Sequence, residues 1–315
     1  MRELLKPSTL ARRYSFAFAL LLMVALLIAD IVAQGSFNVT AQLATVAPLA
    51  ILAMASTPAI LSGGFDISLG PIAAFLTALY GVTLAPAGLD GAVAIPILLG
   101  IGTALGLFNG FMVAVLRVNP IVATLSGYFV MYGIVLAMLP QPITLEDNWV
   151  GALGGNVGPI PGAVFTLGIP LVVWVVLKRT AYARNLFAVG ANDAAAYASG
   201  INVSAVRIAA YGLGGLFAGI MAFAIMGLIT SASSTTATDY SLLAFAGVAL
   251  GGTPLLGGRG GLVGPLFGAM ALYLFQDILI SNNVSQTYLD IVYGSLLILA
   301  VLLSAQILRL QKAPA

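Results

Sequence analysis

The sequence predicts an all-α, polytopic membrane protein of about ten transmembrane helices with both termini in the cytoplasm. Three observations lead there. Of the 315 residues, 61% are hydrophobic and 7% charged, whereas a soluble domain carries about 25% charged residues. Mean hydropathy is +1.09, so the chain cannot hide its apolar surface from water by folding alone. The apolar residues also fall in continuous stretches of membrane-spanning length, about 20 residues each. The alternating segments of about ten residues that would build a barrel are not found.

The first span, 14–34, follows the basic residues Arg2, Lys6, Arg12 and Arg13. It is long enough to cross, and no small-residue cleavage site ends a short apolar core, so it is expected to be retained rather than removed as a signal peptide. Segments 41–62, 66–86, 91–116, 120–139 and 162–178 follow, then 205–229, 240–256, 262–281 and 286–306. The charges test this count, because positive residues collect in cytoplasmic loops. With the N-terminus inside, ten helices place Arg117, the group Lys178, Arg179, Arg184 and Arg207, then Arg259, Arg309 and Lys312 on the same side. The opposite side receives Asp90, Glu146, Asp147 and the polar run from Ser231 to Asp239. One helix more or fewer before Arg117 breaks the agreement. No long polar linker divides the chain, so 1–315 is expected to be one domain with a cytoplasmic loop at about 179–204.

The absent residues narrow the chemistry. There is no cysteine and no histidine, which removes disulfides, Cys/His metal sites and His-based catalysis. A phosphate-cradling ATP loop needs glycines before Gly-Lys-Ser/Thr, and none of Lys6, Lys178 and Lys312 follows a glycine. No cofactor or metal is expected in this chain, no enzyme site, and no nucleic-acid partner. If uphill transport is driven by ATP, another chain must hydrolyse it. Carboxylates that could couple ions are scarce, and one at mid-helix costs roughly 2.5–3.5 kcal/mol. Asp30 and Asp277 fall near helix ends, and Asp290 at a helix start.

The polar island 184–204, RNLFAVGANDAAAYASGINVS, interrupts the apolar pattern. Asn192 or Asp193 can cap a helix. Ala194, Ala195 and Ala196 favour it, and Gly200 with Ile201 beyond supplies a left-handed stop. About two turns are too short to be stable alone, so either the rest of the chain or a partner must hold them.

A second set of residues could line a path. Gly102, Gly106 and Gly110 allow close helix approach. Asn109, Thr124, Ser126 and Tyr128 could hydrogen-bond a neutral polar solute or tie helices together. Phe108, Phe111, Phe129, Tyr128 and Tyr132 could stack on a sugar face or simply pack. Asp66, in the stretch that also holds Ser68, is either a helix N-cap at a tight turn or part of a rigid bend beside a central path. The path candidates are therefore Asp66, Ser68, Asn109, Thr124, Phe108 and Tyr128. A weak internal repeat pairs GGFDISLGPI (63–72) with GGRGGLVGPL (257–266), in parallel orientation.

Four stretches together resemble the membrane permease subunits of bacterial ribose-type sugar ABC importers. GGFDISLGPIAAF (63–75) is similar to that family's Gly-Gly-Ile-Asp-Leu-Ser-Val-Gly segment. FNGFMVAVLRVNPIVATLSGYFVMYGI (108–134) looks like its Asn-Gly, Pro-x-Ile-x-Thr-Leu and Gly pattern, and AGVALGGTPLLGGRGGLVGPLFGA (246–269) like its Leu-Gly-Gly-Thr, Gly-Gly, Gly segment. ARNLFAVGANDAAAYASGINV (183–203) resembles its cytoplasmic loop, with Asp193 where Glu is usual; Pro71 stands where a small residue is common.

The resemblance implies import of a ribose-like pentose or related furanose or hexose across the bacterial inner membrane. It implies a second, identical or related permease, a periplasmic or tethered sugar-binding protein, and a cytoplasmic ATPase that carries ATP and magnesium. It makes Asn192, Asp193, Ala194, Ala195, Ala196 and Gly200 the coupling helix that fits a groove on the ATPase. The alternatives are an ABC permease for a nucleoside, an amino acid or a signalling furanose, and an ion-coupled secondary transporter.

Overall fold

The computed structural model describes residues 16–34, 37–89, 91–145, 149–233, 237–238 and 240–285, with scattered positions up to 298. The four N-terminal basic residues, Asp90, Glu146, Asp147, Asp239, Asp290, Arg309, Lys312 and most of segment 286–306 lie outside them. The described helices are α1 (Ala17–Gln34), α2 (Val39–Leu61), α3 (Leu69–Leu79), α4 (Gly91–Ala114), α5 (Pro120–Met138) and the single turn α6 (Gly151–Gly154). Then come α7 (Ala163–Lys178), α8 (Ala181–Ala191), α9 (Asp193–Ala198), α10 (Val203–Ile229), α11 (Tyr240–Leu250) and α12 (Val263–Ser281).

Two helices form the centre. α2 is buried without a break from Val46 to Leu61, as a helix apolar on all sides should be. α10 packs on α2, α3 and α4. The spaced glycines of α4 face it: a Cβ on Gly102 would lie 2.6 Å from the Gly215 carbonyl oxygen, and one on Gly110 2.8 Å from the Ile208 Cα. Small residues thus let the two backbones touch, which is how apolar helices gain dispersion contact without a hydrophobic driving force. α12 packs on α1, α2 and α11 at the other side of the bundle.

Among the described residues, five helices have the length and apolarity to cross a bilayer, six if α7 and α8 are one span bent by 88°. Three shorter apolar helices cover Ala17–Ala33, Leu69–Leu84 and Tyr240–Leu250. Two boundaries differ from expectation. The third segment becomes helical at Leu69 and ends in a π-helical turn, Tyr80–Leu84. The eighth stops at Leu250, because Gly252 takes a left-handed φ of 75° that the helix cannot continue. The described connections contain four two-residue strands: β1 (Ile143–Thr144), β2 (Asn156–Val157), β3 (Ile160–Pro161) and β4 (Ser231–Ala232). β1 pairs with β4 and β2 with β3, both antiparallel; pieces this short leave no periodicity in a sequence.

Candidate functional site

The polar island folds as a bent arm. α8 ends at Asn192, whose extended backbone (φ −163°, ψ 105°) turns the chain, and whose side-chain oxygen accepts the Ala195 N–H at 3.0 Å. That cap opens α9. Gly200 closes it with φ 81°, and the Ile201 N–H reaches back to the Ala196 carbonyl at 3.1 Å. Of the residues of α9 only Ala196 is buried; Asp193, Ala194, Ala195, Tyr197 and Ala198 are exposed.

The chain holds this helix lightly from below. Arg207 Nη2 donates to Asp193 Oδ2 at 3.0 Å, and Arg207 Nε to the Ser62 carbonyl at 3.5 Å. α8 is held far more tightly. A Cβ on Gly190 would sit 1.8 Å from the Leu61 carbonyl oxygen and 2.7 Å from the Gly258 nitrogen. The Gly258 N–H itself donates to that carbonyl at 3.1 Å. The two repeat turns therefore meet at this point. Gly63 and Gly257 share a left-handed φ, 82° and 84°, and each turn leads into a helix, α3 or α12.

The turn between α2 and α3 carries the second site. Asp66 Oδ1 accepts from the Ser68 N–H at 3.1 Å and from the Ser68 hydroxyl at 2.6 Å. Asn109 Nδ2 of α4 donates to Ser68 Oγ at 2.7 Å. Thr124 Oγ1 of α5 accepts the Ile67 N–H at 3.3 Å, and Tyr211 of α10 donates its hydroxyl to the Phe65 carbonyl at 3.0 Å. Gly127 leaves room for α5 here, since its Cβ would stand 3.3 Å from Asn109 Oδ1. Three helices thus grip one turn.

Asp66 is not the N-cap of α3, one of its two expected roles. Ser68 occupies that position without a capping side-chain bond, and Asp66 stabilises the turn before it. Asp66 Oδ2 is buried and has no hydrogen-bond partner among the described residues. The path candidates divide in two. Asp66, Ser68, Asn109 and Thr124 are buried in one hydrogen-bonded cluster, whereas Phe108 is 59% exposed. Tyr128 stands apart among rings, with centroids 5.4 Å from Phe129 and 6.2 Å from Tyr132. In this conformation Asn109 and Thr124 tie helices together.

Sequence reasoning missed Tyr211, which clamps Phe65 from 146 residues away, and Gly190, one glycine among 36. Tyr197 could have been singled out as the lone aromatic in a run of alanines.

The arrangement is that of a helical membrane protein with a buried polar turn and an exposed two-turn helix. Residues 38–301 match the family described as "Branched-chain amino acid transport system / permease component", and the chain belongs to it. Curated relatives place it further. It is 35% identical over 262 residues to the ribose import permease protein RbsC of Escherichia coli strain K12, covering 80% of this chain and 81% of that one. It is 33% identical to RbsC of Bacillus subtilis, with 84% of each chain covered. It is 32% identical to the fructose import permease protein FrcC of Rhizobium meliloti, over 85% of this chain and 77% of that one. No solved structure matches the chain.

Proposed function

We propose that this chain is the transmembrane permease subunit of an ATP-binding-cassette importer for a monosaccharide, a ribose-like pentose or a related furanose or hexose. The observation that carries this reading is the similarity, over four-fifths of the chain, to permeases named for ribose and fructose import. The chain crosses the bacterial inner membrane about ten times with both ends in the cytoplasm. A second permease, identical or related, completes the path, and a periplasmic or tethered binding protein delivers the sugar. ATP and magnesium belong to a separate cytoplasmic ATPase, and α9 with its cap, Asn192 to Gly200, docks on it. The exposure of nearly every α9 residue supports that role.

In this mechanism ATP closes the ATPase pair and draws the coupling helices together, and the path changes its open side. A partner can shift such an equilibrium only by binding the two states unequally. The buried cluster of Asp66, Ser68, Asn109 and Thr124 stands beside the path and fixes the bend that shapes it.

The test is sugar uptake by proteoliposomes holding the permease, the ATPase and the binding protein. Uptake is expected to require ATP hydrolysis and to survive collapse of proton and sodium gradients. Uptake that persists without the ATPase and follows an ion gradient would sink the reading.

A further inference from the structure

A cleft of about 1240 Å³ lies beside α9. One wall is α9 itself, with Asp193, Ala194, Tyr197 and Ala198; the facing wall is the turn between α4 and α5, with Arg117, Asn119 and Pro120. Small-molecule sites run to about 1,000 Å³, so this space admits a segment of a folded partner rather than one side chain.

Two side chains on the walls are unspent. Tyr197 is 76% exposed, the most open large ring among those described. Arg117 is exposed and makes no hydrogen bond or ion pair among the described residues. Its backbone is left-handed, with φ 56°, a conformation that costs a non-glycine residue about 1–2 kcal/mol. Asn119 then accepts the Ile121 N–H at 3.0 Å and Pro120 opens α5, so the turn is set rigidly. The cleft holds two arginines and one carboxylate, and that carboxylate, Asp193, is already engaged by Arg207. The remaining charge is positive and lies opposite the ring.

We propose that this cleft is a second contact surface for the ATPase subunit, receiving an acidic segment of it. A carboxylate of the partner pairs with Arg117, and an apolar recess takes Tyr197. The proposal rests on the reading of α9 as the docking helix and extends it to a wall far away in sequence. Two arguments support this occupant. The cleft is continuous with the exposed face of α9, and its positive charge, uncompensated among the described residues, calls for an anionic partner. Tyr and Arg are also the residue types that most often dominate interface energies.

The experiment uses the full-length chain in nanodiscs and its cognate ATPase, with affinity measured without nucleotide at low and moderate salt. Arg117→Glu and Tyr197→Ala are each expected to weaken association by about tenfold or more. Arg117→Lys and Tyr197→Phe should stay within about threefold of the parent. The salt dependence should shrink in Arg117→Glu. Both positions are exposed, so unchanged unfolding midpoints confirm that the fold is intact.

Ala195→Trp probes α9 separately, because Ala195 is exposed but does not line the cleft. If it abolishes association while Arg117→Glu and Tyr197→Ala bind like the parent, the second surface is refuted and α9 docking stands. If none of the three matters, the docking reading falls with it. If Arg117→Glu leaves the affinity for the ATPase unchanged and lowers only the retention of phosphatidylglycerol by the chain or its association with a second copy, the occupant is a lipid headgroup or another permease, and the proposal is overturned.

Discussion

Gly190→Ala replaces a hydrogen by a methyl group at a place with no room for it. The new Cβ would lie 1.8 Å from the Leu61 carbonyl oxygen, 2.7 Å from the Gly258 nitrogen and 2.9 Å from the Leu61 carbonyl carbon. All three are backbone atoms, so no side chain can swing aside. The Leu61 carbonyl must retreat by roughly 1.5 Å, a shift of the kind that costs about 1–3 kcal/mol in a packed interior. That carbonyl also accepts the Gly258 N–H at 3.1 Å, and losing this buried bond adds about 1 kcal/mol. Alanine gives back about 0.5–1 kcal/mol inside a helix, too little to offset the collision. A net loss of about 1–3 kcal/mol is expected. Thermal unfolding of the purified chain in detergent reads it, with Gly133→Ala as the comparison. Gly133 has nothing within 4 Å of its would-be Cβ, so that variant should match or exceed the parent. If Gly190→Ala is as stable as Gly133→Ala, the close approach of α8, the end of α2 and the 257–261 turn is not a feature of the molecule.

The turn at Asp66 gives a second expectation. Asp66→Ala removes the acceptor of two Ser68 bonds and should cost about 1–3 kcal/mol in the same unfolding assay. Asp66→Asn keeps a carbonyl oxygen there and removes a buried charge, so it should cost less; equal losses would show that Oδ1 does not hold the turn. Topology gives the third. The chain has no cysteine, so a single Tyr197→Cys variant can be labelled against a clean background. An impermeant maleimide should reach it only from the cytoplasmic face, and labelling from outside would overturn the assigned orientation.

Much of this fold can be read from residue patterns, for reasons that differ by element. Long apolar runs such as Val39–Leu61 and Val203–Ile229 are forced into helices because backbone groups in lipid must be satisfied within the segment. The short helix α9 was legible from chemistry rather than hydropathy. Asn192 supplies the cap and Gly200 the left-handed stop, both acting within a few residues. The buried cluster was legible only as a list. Asp66, Ser68, Asn109 and Thr124 are visible as polar residues in apolar surroundings, but their pairing depends on three helices closing on one turn. Tyr211 belongs to that closure through a contact spanning 146 positions, and nothing local marks it. Phe108 and Tyr128 carried the same aromatic signal as a stacking site, yet Phe108 lies on an open face and Tyr128 among neighbouring rings.

The junction of Gly190, Gly257 and Gly258 with the end of α2 has one more consequence. Side chains act as springs between helices, because a rotamer change absorbs a small displacement before the next backbone feels it. Here there are none, and packed backbones are bistable rather than compliant. A joint of this kind has no slack. When α8 is pushed at its α9 end, the last turn of α2 must move with it or the contact must break. Where the contact holds, the polar turn that begins at Gly63 moves with it.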